Sequence, residues 1–138
     1  QVNHIKFHRA CDALFPLTTW TVRIEILRYL ELREKRLSLG NLLGLCTAEN
    51  RDYFELLAYQ LKMFPNEPKA EEALLQLLAL EEPDAEDSLL MIVSALKVVG
   101  SELSLRVLQN MRQKREYSED TRSAMALALT KLTHTLAV

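Results

Sequence analysis

Apolar positions in this chain recur at the period of half-buried helices, and the blocks they form close alike. Val22 through Leu30, Tyr53 through Leu61, Ser88 through Leu96 and Thr121 through Leu129 each finish on a leucine. Those leucines lie 31, 35 and 33 residues apart, the length of one helical hairpin. Between the blocks stand Pro16, Gly40 with Gly44, Pro65 with Pro68, Pro83, and Gly100, residues that break or cap helices. The spacing predicts eight helices in four pairs: 4–15 and 18–34, 36–45 and 48–63, 67–80 and 84–99, 101–114 and 118–136.

End signals support the later pairs best. Asn66 or Glu67 caps before Pro68, and proline suits a first turn. Asp84, followed by Glu86 and Asp87, and Ser118, followed by Glu119 and Asp120, set acids against the positive end of a helix. Arg112, Lys114 and Arg115 suit a last turn, and Gly100 suits the left-handed residue beyond a helix. Leu74, Leu77 and Leu78, then Leu89, Ile92, Val93 and Leu96, mark the inner faces of the third pair. Leu105, Leu108 and Met111, then Met125, Leu129, Leu132 and Leu136, do so in the fourth. The first pair is the least regular: Trp20, Val22, Ile24 and Ile26 alternate with polar residues as in a strand before Leu27 and Leu30 restore the helical period.

Ser118-Glu119-Asp120-Thr121-Arg122-Ser123-Ala124-Met125-Ala126-Leu127-Ala128-Leu129, with Leu132 following, resembles the second helix of a HEAT repeat. Arg122 falls on that family's arginine and Thr121 on its valine, and Val22-Arg23 carries the same pair in the first repeat. In the middle repeats Tyr53-Phe54 and Ser88-Leu89 stand there instead, so the likeness rests on spacing. Armadillo and other helical-pair repeats share that spacing. The resemblance implies an all-α, right-handed α-solenoid of about four hairpins forming one domain, 1–138, with repeats near 1–34, 35–64, 65–99 and 100–138. It also implies a scaffold or binding role, and arginines at 23 and 122 that pair with an acid of the adjacent repeat. The chain starts at Gln1 and reads as a piece of a longer protein.

Composition narrows the function classes. Apolar residues make up 49% and charged residues 26%, enough of each for a folded domain. Net charge is −2, which gives no reason to expect nucleic acid as a partner. The charge is uneven: residues 64–99 hold 2 Lys/Arg against 8 Asp/Glu, while the segments on either side are each +2. No apolar run reaches the roughly 20 residues of a membrane span. The compartment stays open, with the cytoplasm slightly favoured. Cys11 and Cys46 read as two core thiols, with a bridge possible in an oxidising compartment.

Few residues suggest chemistry. His4, His8 and Asp12 share one helix face at metal-ligand spacing, but Ile5 stands where a zinc-protease helix needs glutamate, and a solvated face explains the histidines as well. Neither a metal nor a cofactor is expected. Glu71 with Glu72, and Glu81, Glu82, Asp84, Glu86 and Asp87, read as solvated carboxylates or as a docking patch for a basic partner rather than an acid–base pair. Trp20, Tyr29, Tyr53, Phe54 and Tyr59 are core aromatics or the lining of a peptide groove. The expected function is non-catalytic binding of a protein or peptide on the face lined by the second helices. Arg23, Arg28, Arg51, Glu55, Lys62, Lys97, Arg122 and Lys131 form that face, a largely basic set that suits an acidic segment. The alternatives are a HEAT-like enzyme of the DNA glycosylase or lyase class, and a self-assembly module joined through an exposed end of the stack.

Overall fold

The computed structural model describes residues 9, 10, 12, 14, 15 and 19–137. Among them are seven α-helices and no strand. They are α1 (Trp20–Leu32), α2 (Leu39–Leu43), α3 (Phe54–Leu61), α4 (Pro68–Leu80), α5 (Glu86–Val99), α6 (Glu102–Met111) and α7 (Glu119–Leu136). A 3-10 helix, Ala48–Tyr53, leads into α3. The alternating segment Trp20 to Ile26 is helical, in phase with the leucines that follow it. Most of the segment 4–15, expected to be the first helix of the first pair, lies outside the described residues, as do His4, His8 and Cys11.

The packing follows the pairs. α4 packs on α5 and α6 on α7 within hairpins, while α1 packs on α3, α3 on α5 and α5 on α7 between them. One continuous apolar core results, with Leu30, Leu61, Leu96 and Leu129 all buried in it. A hairpin has two apolar flanks, so each must be covered by the next pair.

Polar contacts carry the same period. Among the described residues, every side-chain hydrogen bond joining residues more than seven apart spans 23 to 33 positions. Asp12 Oδ1 accepts from Ser38 N at 2.7 Å and Asn41 Nδ2 donates to it, so this acid caps α2. Buried Gln60 receives Leu37 N at 2.7 Å and donates to the Lys35 carbonyl at 3.1 Å, fixing the chain between α1 and α2. Arg36 donates to the Met63 carbonyl at 2.7 Å with its guanidinium over the Phe64 ring. Gln76 donates to the Cys46 carbonyl at 2.7 Å, and Ser118, which caps α7, donates to Glu86 at 2.6 Å.

Glu71 is the most elaborate of these links. Its carboxylate accepts from Ser101 N at 2.5 Å, Ser101 Oγ at 2.8 Å, Ser104 N at 3.3 Å and Ser104 Oγ at 2.5 Å. A negative group thus covers the orphan amides at the start of α6 from the preceding hairpin. Burial pushes the Glu71 pKa up, but the hydrogen bonds from Ser104 and Ser101 outweigh it and hold the group below its ordinary 4.5.

Several local expectations are corrected. Residues 48–53 are not regular α-helix: Asn50, at φ −102° and ψ 19°, breaks it, and its side chain bonds the Leu45 carbonyl at 2.9 Å instead. α5 is capped by Ala85, with Asp84 in the preceding turn, and α6 ends at Met111, so Lys114 and Arg115 lie beyond it. Gly100 is not left-handed; its φ is −70°. Glycine is required there by space, since a Cβ would collide with the Leu96 carbonyl oxygen and lie 2.9 Å from Ser104 Cβ. Among the described residues the left-handed one is Glu34, at φ 52°. It closes α1 with Lys35 N donating to the Leu30 carbonyl and Glu34 N to that of Glu31, the paired bonds of a Schellman end.

Candidate interaction surface

Two adjoining cavities open where α1, α3 and α5 lie side by side. The first, about 450 Å³, is lined by Arg28, Glu31 and Leu32 of α1, by Asp52, Tyr53, Glu55 and Leu56, and by Met91 of α5. The second, about 600 Å³, shares Asp52 and Glu55 and continues along the α4–α5 turn past Arg51, Glu81, Glu82, Asp84, Glu86 and Asp87. The packing of α1 on α3 and of α3 on α5 creates the juxtaposition, because no single helix holds more than part of either lining.

The floor of the first cavity is apolar. Leu56 and Met91 are half-buried against the core, and Leu32 is 84% exposed, the most exposed large apolar side chain among the described residues. Phe54 beside them is fully buried, so the aromatic pair splits: Phe54 serves the core and Tyr53 the groove.

The walls are acidic. Eight carboxylates line the two cavities against two guanidinium groups, Arg28 and Arg51. Arg51 is already matched: its Nε donates to the Leu80 carbonyl at 3.1 Å, and it lies 3.9 Å from Glu81 and 3.3 Å from Glu82. Glu81 is itself buried, accepting from Ser88 Oγ and from Glu82 N, so it holds the turn rather than facing solvent. Among the described residues, Glu31, Asp52, Glu55, Asp84, Glu86 and Asp87 have no ion-pair partner.

Of the residues singled out from the sequence, Arg28, Arg51 and Glu55 come together here. Lys62 and Lys97 are half-buried elsewhere, and Lys131 is exposed on α7. Arg23 is half-buried with its guanidinium 5.5 Å from the Phe15 ring centre. Arg122 makes no ion pair among the described residues, and its buried Nε has no hydrogen-bond partner there. The basic set is therefore dispersed, whereas the carboxylates converge. Asp12, the described member of the metal-spaced trio, is spent on capping α2. No group of three His, Cys, Asp or Glu among the described residues is placed to hold a metal ion. Cys46 is buried, and burial pushes its thiol up to about 11, which suits a core residue rather than a nucleophile.

Glu31, Leu32, Asp52, Leu56 and Met91 were not singled out from the sequence. Leu32 alone carried a signal there, an apolar residue off the buried stripe at the end of its helix. The others need the three-helix juxtaposition to be seen. No helix among the described residues is long and apolar enough to cross a membrane. The chain matches no protein-family model, no curated protein and no solved structure.

Proposed function

We propose that this chain is a non-catalytic interaction domain, a right-handed α-solenoid of HEAT-like hairpins that binds a protein or peptide on the side where the second helices α1, α3, α5 and α7 lie. The observation that carries the reading is the limited reach of the inter-element hydrogen bonds, 23 to 33 residues among the described residues, within a repeat or to its neighbour. Contacts that stay within one repeat or reach only its neighbour are the mark of a stack that grows in one direction. Such stacks leave one face of their inner helices open, and extended open faces recognise chains rather than enclose small substrates. A glycosylase-like alternative needs a basic cleft for phosphates, and the two cavities across α1, α3 and α5 are acidic.

Selection from a random 16-residue peptide library against the immobilised chain tests the reading. Enriched peptides should shift backbone NMR signals of α1, α3, α5 or α7. Failure to enrich any peptide, or shifts confined to α2, α4 and α6, would sink it. Self-association is the second reading, favoured by Leu127 at 69% and Leu136 at 46% exposure on the last helix. Light scattering across concentration separates the two, since only stacking through α7 makes the mass rise with concentration and is abolished by Leu127→Lys.

A further inference from the structure

We infer that the groove across α1, α3 and α5 is the docking site, and that its occupant is a basic amphipathic helix of a partner protein. The inference rests on the interaction-domain reading and reverses the acidic partner that the dispersed arginines and lysines suggested. Three features of the groove select this occupant together.

The apolar floor of Leu32, Leu56 and Met91 draws on three different elements, so it runs across the inner helices rather than along one. An apolar strip of this kind matches the i, i+3/i+4, i+7 face of a helix. Leu32 is the exposed end of that strip, and leaving a leucine 84% exposed costs free energy that a docked apolar face would recover.

Charge sets the polarity. The floor is flanked by Glu31, Asp52 and Glu55, which have no cationic partner within 4 Å among the described residues. The adjoining cavity adds Asp84, Glu86 and Asp87, while Arg51 is neutralised by Glu81 and Glu82. Crowded carboxylates repel one another in the free protein, and a row of lysines or arginines relieves that repulsion as it docks. An acidic helix would add to it. Arg28 alone has the opposite sign, at the α1 edge of the floor.

The test uses two fluorescein-labelled 18-residue peptides with leucines at the helical period, one carrying lysine at all other positions and one glutamate, followed by fluorescence anisotropy on the full chain. The lysine peptide should bind, and the glutamate peptide should bind at least tenfold more weakly. Asp52→Lys with Glu55→Lys should weaken lysine-peptide binding at least tenfold, and so should Leu32→Asp. All three residues are exposed, so these variants keep the fold. Glu102→Lys with Glu116→Lys changes the net charge equally, outside both cavities, and should weaken binding less than threefold. Equal loss in that control pair would reduce the effect to bulk charge and overturn the inference. Tighter binding of the glutamate peptide, mapped to the same helices, would also overturn it while leaving the interaction-domain reading intact. Binding of neither peptide overturns the docking site, and the library selection then judges the broader reading on its own.

Discussion

Replacing Glu71 by glutamine should destabilise the domain by about 3 kcal/mol at neutral pH. The magnitude follows from what the carboxylate does. It accepts hydrogen bonds from two backbone amides and two hydroxyls at the start of α6. Bonds to an ionised acceptor contribute roughly 1.5–3 kcal/mol each, and negative charge at a helix start adds about 0.3–1 kcal/mol. Glutamine can keep its oxygen at the Oε2 position, which takes four of the five contacts, but it loses the charge, and its NH2 replaces the oxygen that accepts from the Ser101 hydroxyl. One charge-assisted bond and the dipole contribution are therefore lost, and for a chain of this length the melting temperature falls by about 10 °C. The pH dependence is a second signature. Because the folded pKa lies below 4.5, the Glu71 contribution is complete above that value and fades as the pH falls below it. The wild-type chain should lose stability on acidification more steeply than Glu71→Gln, and the two should converge at low pH. Urea unfolding followed by circular dichroism at a series of pH values gives both quantities. Equal stability at pH 7, or parallel curves on acidification, would refute the capping role.

Other positions make sharper contrasts. Gly100→Ala should cost about 1–3 kcal/mol by overpacking against the Leu96 carbonyl and Ser104, measurable by the same unfolding assay. Glu34→Gly should raise stability by about 0.5 kcal/mol, because glycine accepts φ 52° without steric cost but frees the unfolded chain. Leu96→Ala, at a fully buried site, should lose about 2–5 kcal/mol, while Leu32→Ala should stay within about 0.5 kcal/mol. Cys46 should react with a disulfide reagent far more slowly in the native chain than in urea, since its pKa near 11 leaves little thiolate at neutral pH.

Much of the helical framework was legible because the core selects leucines at a fixed phase. The ends of α4, α5 and α7 were marked by Pro68, Glu86 with Asp87, and Ser118, residues whose local chemistry decides where a helix starts. What escaped was decided by contacts with residues more than 20 positions away. Gln60 and Glu71 sit in phase with buried leucines, and that polar intrusion on an apolar stripe was the available signal of a link to another element. Gly100 looked like a helix terminator of the usual left-handed kind, but the approach of Ser104 explains it instead. The groove was the least legible element. Counting cations along the second helices gave a basic face, whereas in space Arg51 is consumed by Glu81 and Glu82, and the unpaired acids of several elements converge. Charge polarity of a composite surface is a property of the packed helices, and no one-dimensional period contains it.

The most direct test of consecutive hairpins piling up in one direction is the distance between the first and last second helices. Spin labels at exposed Arg28 on α1 and Lys131 on α7 report it by pulsed electron resonance. Three steps of helix-on-helix packing, from α1 to α3, α5 and α7, predict a separation of about 25–30 Å. A distance near 10 Å, with α1 folded back onto α7 in a closed bundle, would contradict the stack and the docking groove with it.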